Sequence, residues 1–122
     1  PGLRPHSGTV ATGRMGGGAP PVLTDRGWLS LWHGVEPNES VGIYRTYWSL
    51  LDRHDPTRVI QSGSAALLES SPELTRPLEH HMYVRDVVFT TGVVDAGDHF
   101  VVASGEADLA CRITHIPKRV FA

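Results

Sequence analysis

An imidazole set in a densely apolar run is the first feature of this chain that could do chemistry. The run is Gly27-Trp28-Leu29-Ser30-Leu31-Trp32-His33-Gly34, entered through the turn Thr24-Asp25-Arg26-Gly27. Side chains alternate along a strand, so Trp28, Ser30 and Trp32 share one face while Leu29, Leu31 and His33 share the other. Both faces are largely apolar, which suits a strand covered on both sides. His33 then stands at the exit of the strand, where a rigid scaffold presents an ionisable group.

Other residue types compete for attention. Arg14-Met15 precedes Gly16-Gly17-Gly18, but the run lacks the Gly-Lys-Ser/Thr ending of a nucleotide loop, and no helical pattern follows it. A turned connection is the simpler reading. Glu79-His80-His81, with His99 or His115 elsewhere, raises a metal. Neighbours on a strand point to opposite faces, so His80 and His81 are not expected to share an ion, and no metal site is assigned. Trp28, Trp32 and Trp48 could stack on sugar rings, although inter-blade packing is the expected role for most of them.

The elements that position these groups are β-strands. Pro20 to Thr24, the Asp25-Arg26-Gly27 turn and the His33 strand read as a hairpin. Val41 to Leu51 carries Ile43, Tyr44, Tyr47, Trp48, Leu50 and Leu51, a β-favouring set, although Tyr44, Tyr47, Trp48 and Leu51 also fit a helical spacing. Gly42, Thr46 and the preceding hairpin decide for a strand. Arg58-Val59-Ile60 is a brief outer strand. Pro72 and Pro77 forbid a long helix in the less regular middle. Val87 to Val94, the Asp95-Ala96-Gly97-Asp98 turn, Phe100 to Ala103, and Leu109 to Ile116 form a second β region.

The two regions look like copies of one unit, with turns at Asp25 and Asp95 in step and His33-Gly34 answering Ser104-Gly105. Repeated antiparallel units with doubly buried strands mark β-propeller blades. The expected fold is all-β, about two blades of a β-propeller, incomplete on its own. Residues 1–19 form a Gly-rich lead-in, 20–62 a first blade, 63–85 an inter-blade excursion and 86–122 a second blade. Such blades expose apolar faces and unpaired edges, so self-association or docking onto an N-terminal half is expected.

Bulk properties narrow the function. The chain has 122 residues and a formal net charge of -2, with 11 scattered basic residues, which argues against a nucleic-acid surface. No apolar run approaches the length of a membrane span, and no membrane partner is expected. The single cysteine, Cys111, excludes an internal disulfide and makes a reducing, cytoplasmic setting the default. The first residue is Pro1 rather than Met, and a chain taken from something longer is expected.

The ordered series Arg14-Met15-Gly16-Gly17-Gly18-Ala19-Pro20-Pro21, Thr24 through Trp28, and His33-Gly34-Val35 resembles the C-terminal part of glycoside hydrolase family 130. Tyr44-Arg45, Leu50-Leu51-Asp52, Asp55-Pro56, Val59-Ile60, Val87-Val88-Phe89 with Gly92, and Gly105-Glu106-Ala107-Asp108 continue it. The resemblance implies a five-bladed propeller acting on β-mannosides, mostly by phosphorolysis. It implies that Arg14, His33 and Tyr44 bind inorganic phosphate, the co-substrate, and that no other cofactor is used. It assigns Asp108 to the mannosyl unit and makes Glu79 a possible sugar contact. Three departures stand out: Arg14 where Lys is usual, Ser104-Gly105-Glu106 where Tyr-Gly-Ala is frequent, and Arg85-Asp86 in place of Pro-Asn.

The implied reaction is phosphorolysis of β-1,4-mannosyl linkages in an oligosaccharide. Phosphate attacks the anomeric carbon while a carboxylic acid protonates the leaving oxygen. Holding a partly desolvated phosphate calls for cationic and hydrogen-bonding groups. A guanidinium, an imidazolium and a phenol would serve, with the anion favouring charged His33. The family's acid has no counterpart in this sequence, so the chain alone is expected to be inactive. The alternative is a non-catalytic carbohydrate-binding or self-assembling two-blade module.

Overall fold

The computed structural model describes residues 14–122. Among them are eight strands: β1 (Arg14–Gly17), β2 (Val22–Thr24), β3 (Gly27–Glu36), β4 (Ile43–Leu51), β5 (Val59–Ser62), β6 (Val88–Asp95), β7 (His99–Glu106) and β8 (Ala110–Pro117). A short helix, α1 (Pro72–Thr75), runs into a 3-10 segment over Arg76–His81, and a second 3-10 segment covers Lys118–Phe121. Of the expected Gly-rich lead-in, residues 1–13 lie outside the described residues.

The strands form two antiparallel sheets. β3 is the spine of the first. It pairs with β4 from Trp28 opposite Leu51 to Glu36 opposite Ile43. Its other edge is taken in turn by β2, against Gly27 to Leu29, and by β1, against Trp32 to Val35. β5 pairs with β4 on the far side. The two-residue loop Asp25-Arg26 needs Gly27, whose φ is 136° and where a Cβ would lie 2.2 Å from the Leu51 carbonyl oxygen.

Two expectations about β3 and β4 are decided here. The Tyr44 to Leu51 stretch is a strand, as its β-favouring composition implied, because its full-length ladder with β3 outweighs the helical spacing. β3 does not stop at His33-Gly34. Gly34 is held between Met15 and Arg45, so the ladder continues to Glu36 and His33 lies inside the strand.

The middle of the chain extends the first sheet before leaving it. Gly63 N–H donates to the Trp48 carbonyl, and Leu68 bridges Thr46. Pro72 then opens α1 and Pro77 falls in the 3-10 segment, so no long helix forms. His80 and His81 are therefore not strand neighbours on opposite faces. The 3-10 turn brings their ring centres to 4.0 Å.

β6, β7 and β8 form a meander. β7 runs beyond Ala103 to Glu106, because Ser104 and Gly105 stay paired with Arg112 and Cys111. Ala107 and Asp108, both with φ above 50°, make the tight turn into β8, closed by Leu109 N–H to the Glu106 carbonyl at 3.0 Å.

The core lies between the sheets. Leu29, Leu31, Trp48 and Leu50 of the first meet Val88, Phe100, Val102 and Ile116 of the second, with Leu68 and Phe121 closing the ends. Burying each such side chain stabilises the fold by about 1.5–3 kcal/mol. Towards His33 the core turns polar: Thr46 Oγ1 lies 2.7 Å from Thr90 Oγ1, which lies 3.0 Å from Ser104 Oγ.

Candidate functional site

His33 and Tyr44 come together at one end of the molecule. His33 faces Thr46 across the ladder and Tyr44 faces Val35, so the two side chains lie diagonally on one face of the sheet. Their ring centres are 5.5 Å apart. Phe89, at the start of β6, completes a triangle, 4.7 Å from the His33 ring and 6.3 Å from Tyr44. Gly16 forms the seat. A Cβ there would come 2.6 Å from His33 Cε1 and 2.7 Å from Nε2.

This seat governs the imidazole's protonation. Burial holds the His33 pKa below the usual histidine value, the Gly17 backbone opposes that shift, and the Arg14 charge adds to it. Nδ1 is buried and has no hydrogen-bond partner among the described residues. Without an anion the ring is thus favoured neutral. A bound anion would act in the opposite direction.

Arg14 is exposed on β1, opposite Val35, and lines a shallow hollow with Asn38, Ser40 and Gly42. Burial is the main cause of the lowered His33 pKa, and the Arg14 charge acts in the same direction.

The turn carrying Asp108 is fixed to the same end. Tyr44 packs against the small cluster Val84, Val87 and Ala107, and Ala107 is the neighbour of Asp108. The backbone ties are Tyr44 N–H to the Asp86 carbonyl at 2.9 Å and Ala107 N–H to the Val87 carbonyl at 2.8 Å. Asp108 is exposed, with the Tyr83 hydroxyl 3.4 Å from Oδ2. Glu79 is exposed in the 3-10 segment and pairs with Arg85 at 3.7 Å. It makes no contact with the His33–Tyr44 pair in the salt-bridge or hydrogen-bond network of the described residues.

Two features at this end were not singled out from sequence. Phe89 walls the imidazole, a contact between sheets that no local pattern encodes. Glu106 is 1% exposed and accepts hydrogen bonds from Ser71 N–H and from Arg112 Nη1. Arg112 also donates to the Glu69 carbonyl at 2.6 Å, while Glu69 pairs with Arg45 and Arg45 with Glu36. A chain of charges therefore runs from β3 to β7 along the rim. The hint in the sequence was a glutamate where the family often carries alanine.

Packing between the sheets, expected for most of the tryptophans, is met by Trp48 alone, while Trp32 packs within the first sheet. Trp32 stacks on Tyr47 at 4.8 Å, and Trp48 meets Phe121 edge-on at 5.1 Å. Trp28 is half-buried and donates to the Arg53 carbonyl.

Residues 11–121 match the sequence profile of a family described as beta-1,4-mannooligosaccharide phosphorylase, Glyco_hydro_130. The chain belongs to glycoside hydrolase family 130. Among curated relatives, it is 35% identical over 116 residues to a beta-1,2-mannobiose phosphorylase of Thermoanaerobacter sp. (strain X514), covering 95% of this chain and 36% of the relative. It is 36% identical over 107 residues to a beta-1,2-mannobiose phosphorylase of Listeria innocua, covering 88% of this chain and 28% of that one. The solved structure of a Listeria innocua beta-1,2-mannobiose phosphorylase, in complex with beta-1,2-mannobiose, superposes with a TM-score of 0.75 at 31% identity. That match covers 98% of this chain and 31% of the other. The chain thus spans about a third of the length of the family 130 relatives it matches.

The linkage named differs among these comparisons. The family description names β-1,4-mannooligosaccharides, whereas these two curated relatives and this solved structure are named for β-1,2-mannobiose, so membership of family 130 does not by itself fix the bond.

Proposed function

We propose that this chain supplies the phosphate-binding side of a β-mannoside phosphorylase, its two sheets being consecutive propeller blades. The carrying observation is the convergence of His33, Tyr44 and the Asp108 turn at one end of the fold. In this reading Arg14 contributes charge, Tyr44 donates a neutral hydrogen bond, and His33 takes up a proton as phosphate arrives. A phosphate oxygen forms the new bond to the anomeric carbon as the glycosidic bond breaks. The leaving oxygen takes its proton from a carboxylic acid that the family pattern places outside these residues. The products are the sugar 1-phosphate and the shortened acceptor. Asp108 orients the mannosyl unit, and Glu79, farther along the rim, is a secondary sugar contact.

The names of the relatives favour a β-1,2-mannoside over a β-1,4 one. Saturation-transfer NMR with each disaccharide tests this. Stronger transfer to β-1,2-mannobiose, reduced by Asp108→Asn, is expected. Equal transfer to β-1,4-mannobiose, or none to either, would count against the reading. Release of mannose 1-phosphate by this chain alone would overturn the placement of the acid.

A second reading, a self-assembling β module, draws on the outer face of the second sheet. There Val94 and Ile113 are 63% and 59% exposed. Concentration-dependent sedimentation discriminates, because a monomer at high concentration would not need that face covered.

A further inference from the structure

Away from the His33 end, two more histidines face each other. His99 opens β7 and His115 lies on β8, opposite Val101, two residues along from His99. Both therefore point to the sheet face that Phe100 and Ile116 leave free on their way into the core. The ring centres are 5.2 Å apart with an interplanar angle of 35°. Together with Asp98, Pro117 and Arg119 they line a shallow surface hollow. His99 Nδ1 sits 2.6 Å from Asp98 Oδ1.

This spacing can be compared with metal chemistry. A zinc–imidazole bond is about 2.0–2.1 Å, which puts a ring centre about 3.2 Å from the ion, so two rings at a tetrahedral angle have centres about 5 Å apart. A carboxylate on Nδ1 leaves Nε2 as the free lone pair and fixes the ring's orientation, the arrangement found behind metal-bound histidines. Among the described residues no group of three or more His, Cys, Asp or Glu side chains could hold an ion. Any site here rests on two protein ligands, with Arg119 opposing the cation.

We propose that His99 and His115 form a two-imidazole site for a divalent d-block cation such as Zn2+ or Cu2+, with Asp98 as the outer support and water filling the other positions. The ion would clip β8, an edge strand, to β7. This proposal is independent of the phosphorylase reading.

Substoichiometric Cu2+ added to the untagged chain, followed by NMR of the histidine ring protons, tests it. The expected result is broadening of His99 and His115 before His54, His80 or His81. His99→Ala and His115→Ala should each abolish that broadening. Asp98→Asn should weaken Zn2+ binding, read as the shift in Tm at fixed metal, by about tenfold. Broadening that starts at His80 and His81, or that survives His115→Ala, would overturn the site.

Discussion

The His33 imidazole lies against Gly16, so that a methyl group at position 16 would sit 2.6 Å from its Cε1 atom. The ring cannot simply retreat, because Phe89 stands 4.7 Å away across the sheet interface. Glycine at this position is thus what lets a histidine on the central strand lie across its neighbour. Gly16→Ala should cost about 1–3 kcal/mol of stability by overpacking, measured by urea unfolding. It should also weaken phosphate binding about tenfold, as a displaced ring loses a charge-assisted contact. Unchanged stability and unchanged affinity would refute the seat.

Protonation of His33 gives a pH test. Its pKa in the folded state lies below the unfolded value near 6.5 because of burial. In the window between the two values the unfolded chain binds more protons, so stability falls as pH drops below about 6.5 and the loss ends once the folded pKa is passed. Unfolding curves across that range should show this trend, and His33→Gln should flatten it. Phosphate should raise the His33 pKa, visible as a shifted ring-proton titration. A pKa that does not move with phosphate would argue against an anion contact.

Glu106 offers a stability test unrelated to chemistry at the site. Its carboxylate is 1% exposed and faces Arg112, which is itself 19% exposed. Removing the Glu106 carboxylate takes the acceptor from Ser71 N–H and one partner from Arg112, which keeps the Glu69 carbonyl. Glu106→Ala should therefore cost about 1–3 kcal/mol. The double variant with Arg112→Met should recover part of that loss in a thermal or urea melt. Additive losses would show that the two groups act separately.

The hydroxyl chain between the sheets is also open to test. Thr90 is its middle member, bonded to both Thr46 and Ser104. Thr90→Val would strand two buried hydroxyls and should cost about 1–3 kcal/mol, while Thr46→Val strands none, because Thr90 keeps Ser104, and should cost less. Equal losses in the two variants would contradict the chain.

What the sequence disclosed followed the range of the interactions. The β2–β3 hairpin, the facing of Leu29, Leu31 and His33, and the strand nature of Tyr44 to Leu51 are local, and alternation with turn residues announced them. The end of β3 was misplaced because a glycine reads as a stop, yet Gly34 is paired on both sides and continues the ladder. His80 and His81 were placed on a strand because nothing short-range revealed the 3-10 turn that Pro77 helps to set. The Gly16 seat, the Phe89 wall and the Glu106–Arg112 pair depend on partners from 6 to 56 positions away in the chain. The seat needs β1 beside β3, the ion pair needs β8 beside β7, and the wall needs the two sheets stacked. The series of motifs from Arg14 to Asp108 nonetheless pointed to family 130, while the mannosidic linkage was beyond its reach.

Titration with inorganic phosphate, followed by NMR at assigned side chains, tests the account most directly. The prediction is saturable shifts centred on His33 and Tyr44, with smaller ones at Arg14, all removed by His33→Ala while the fold persists. Shifts that never saturate, or that fall only on surface residues far from the Gly16 seat, would contradict it.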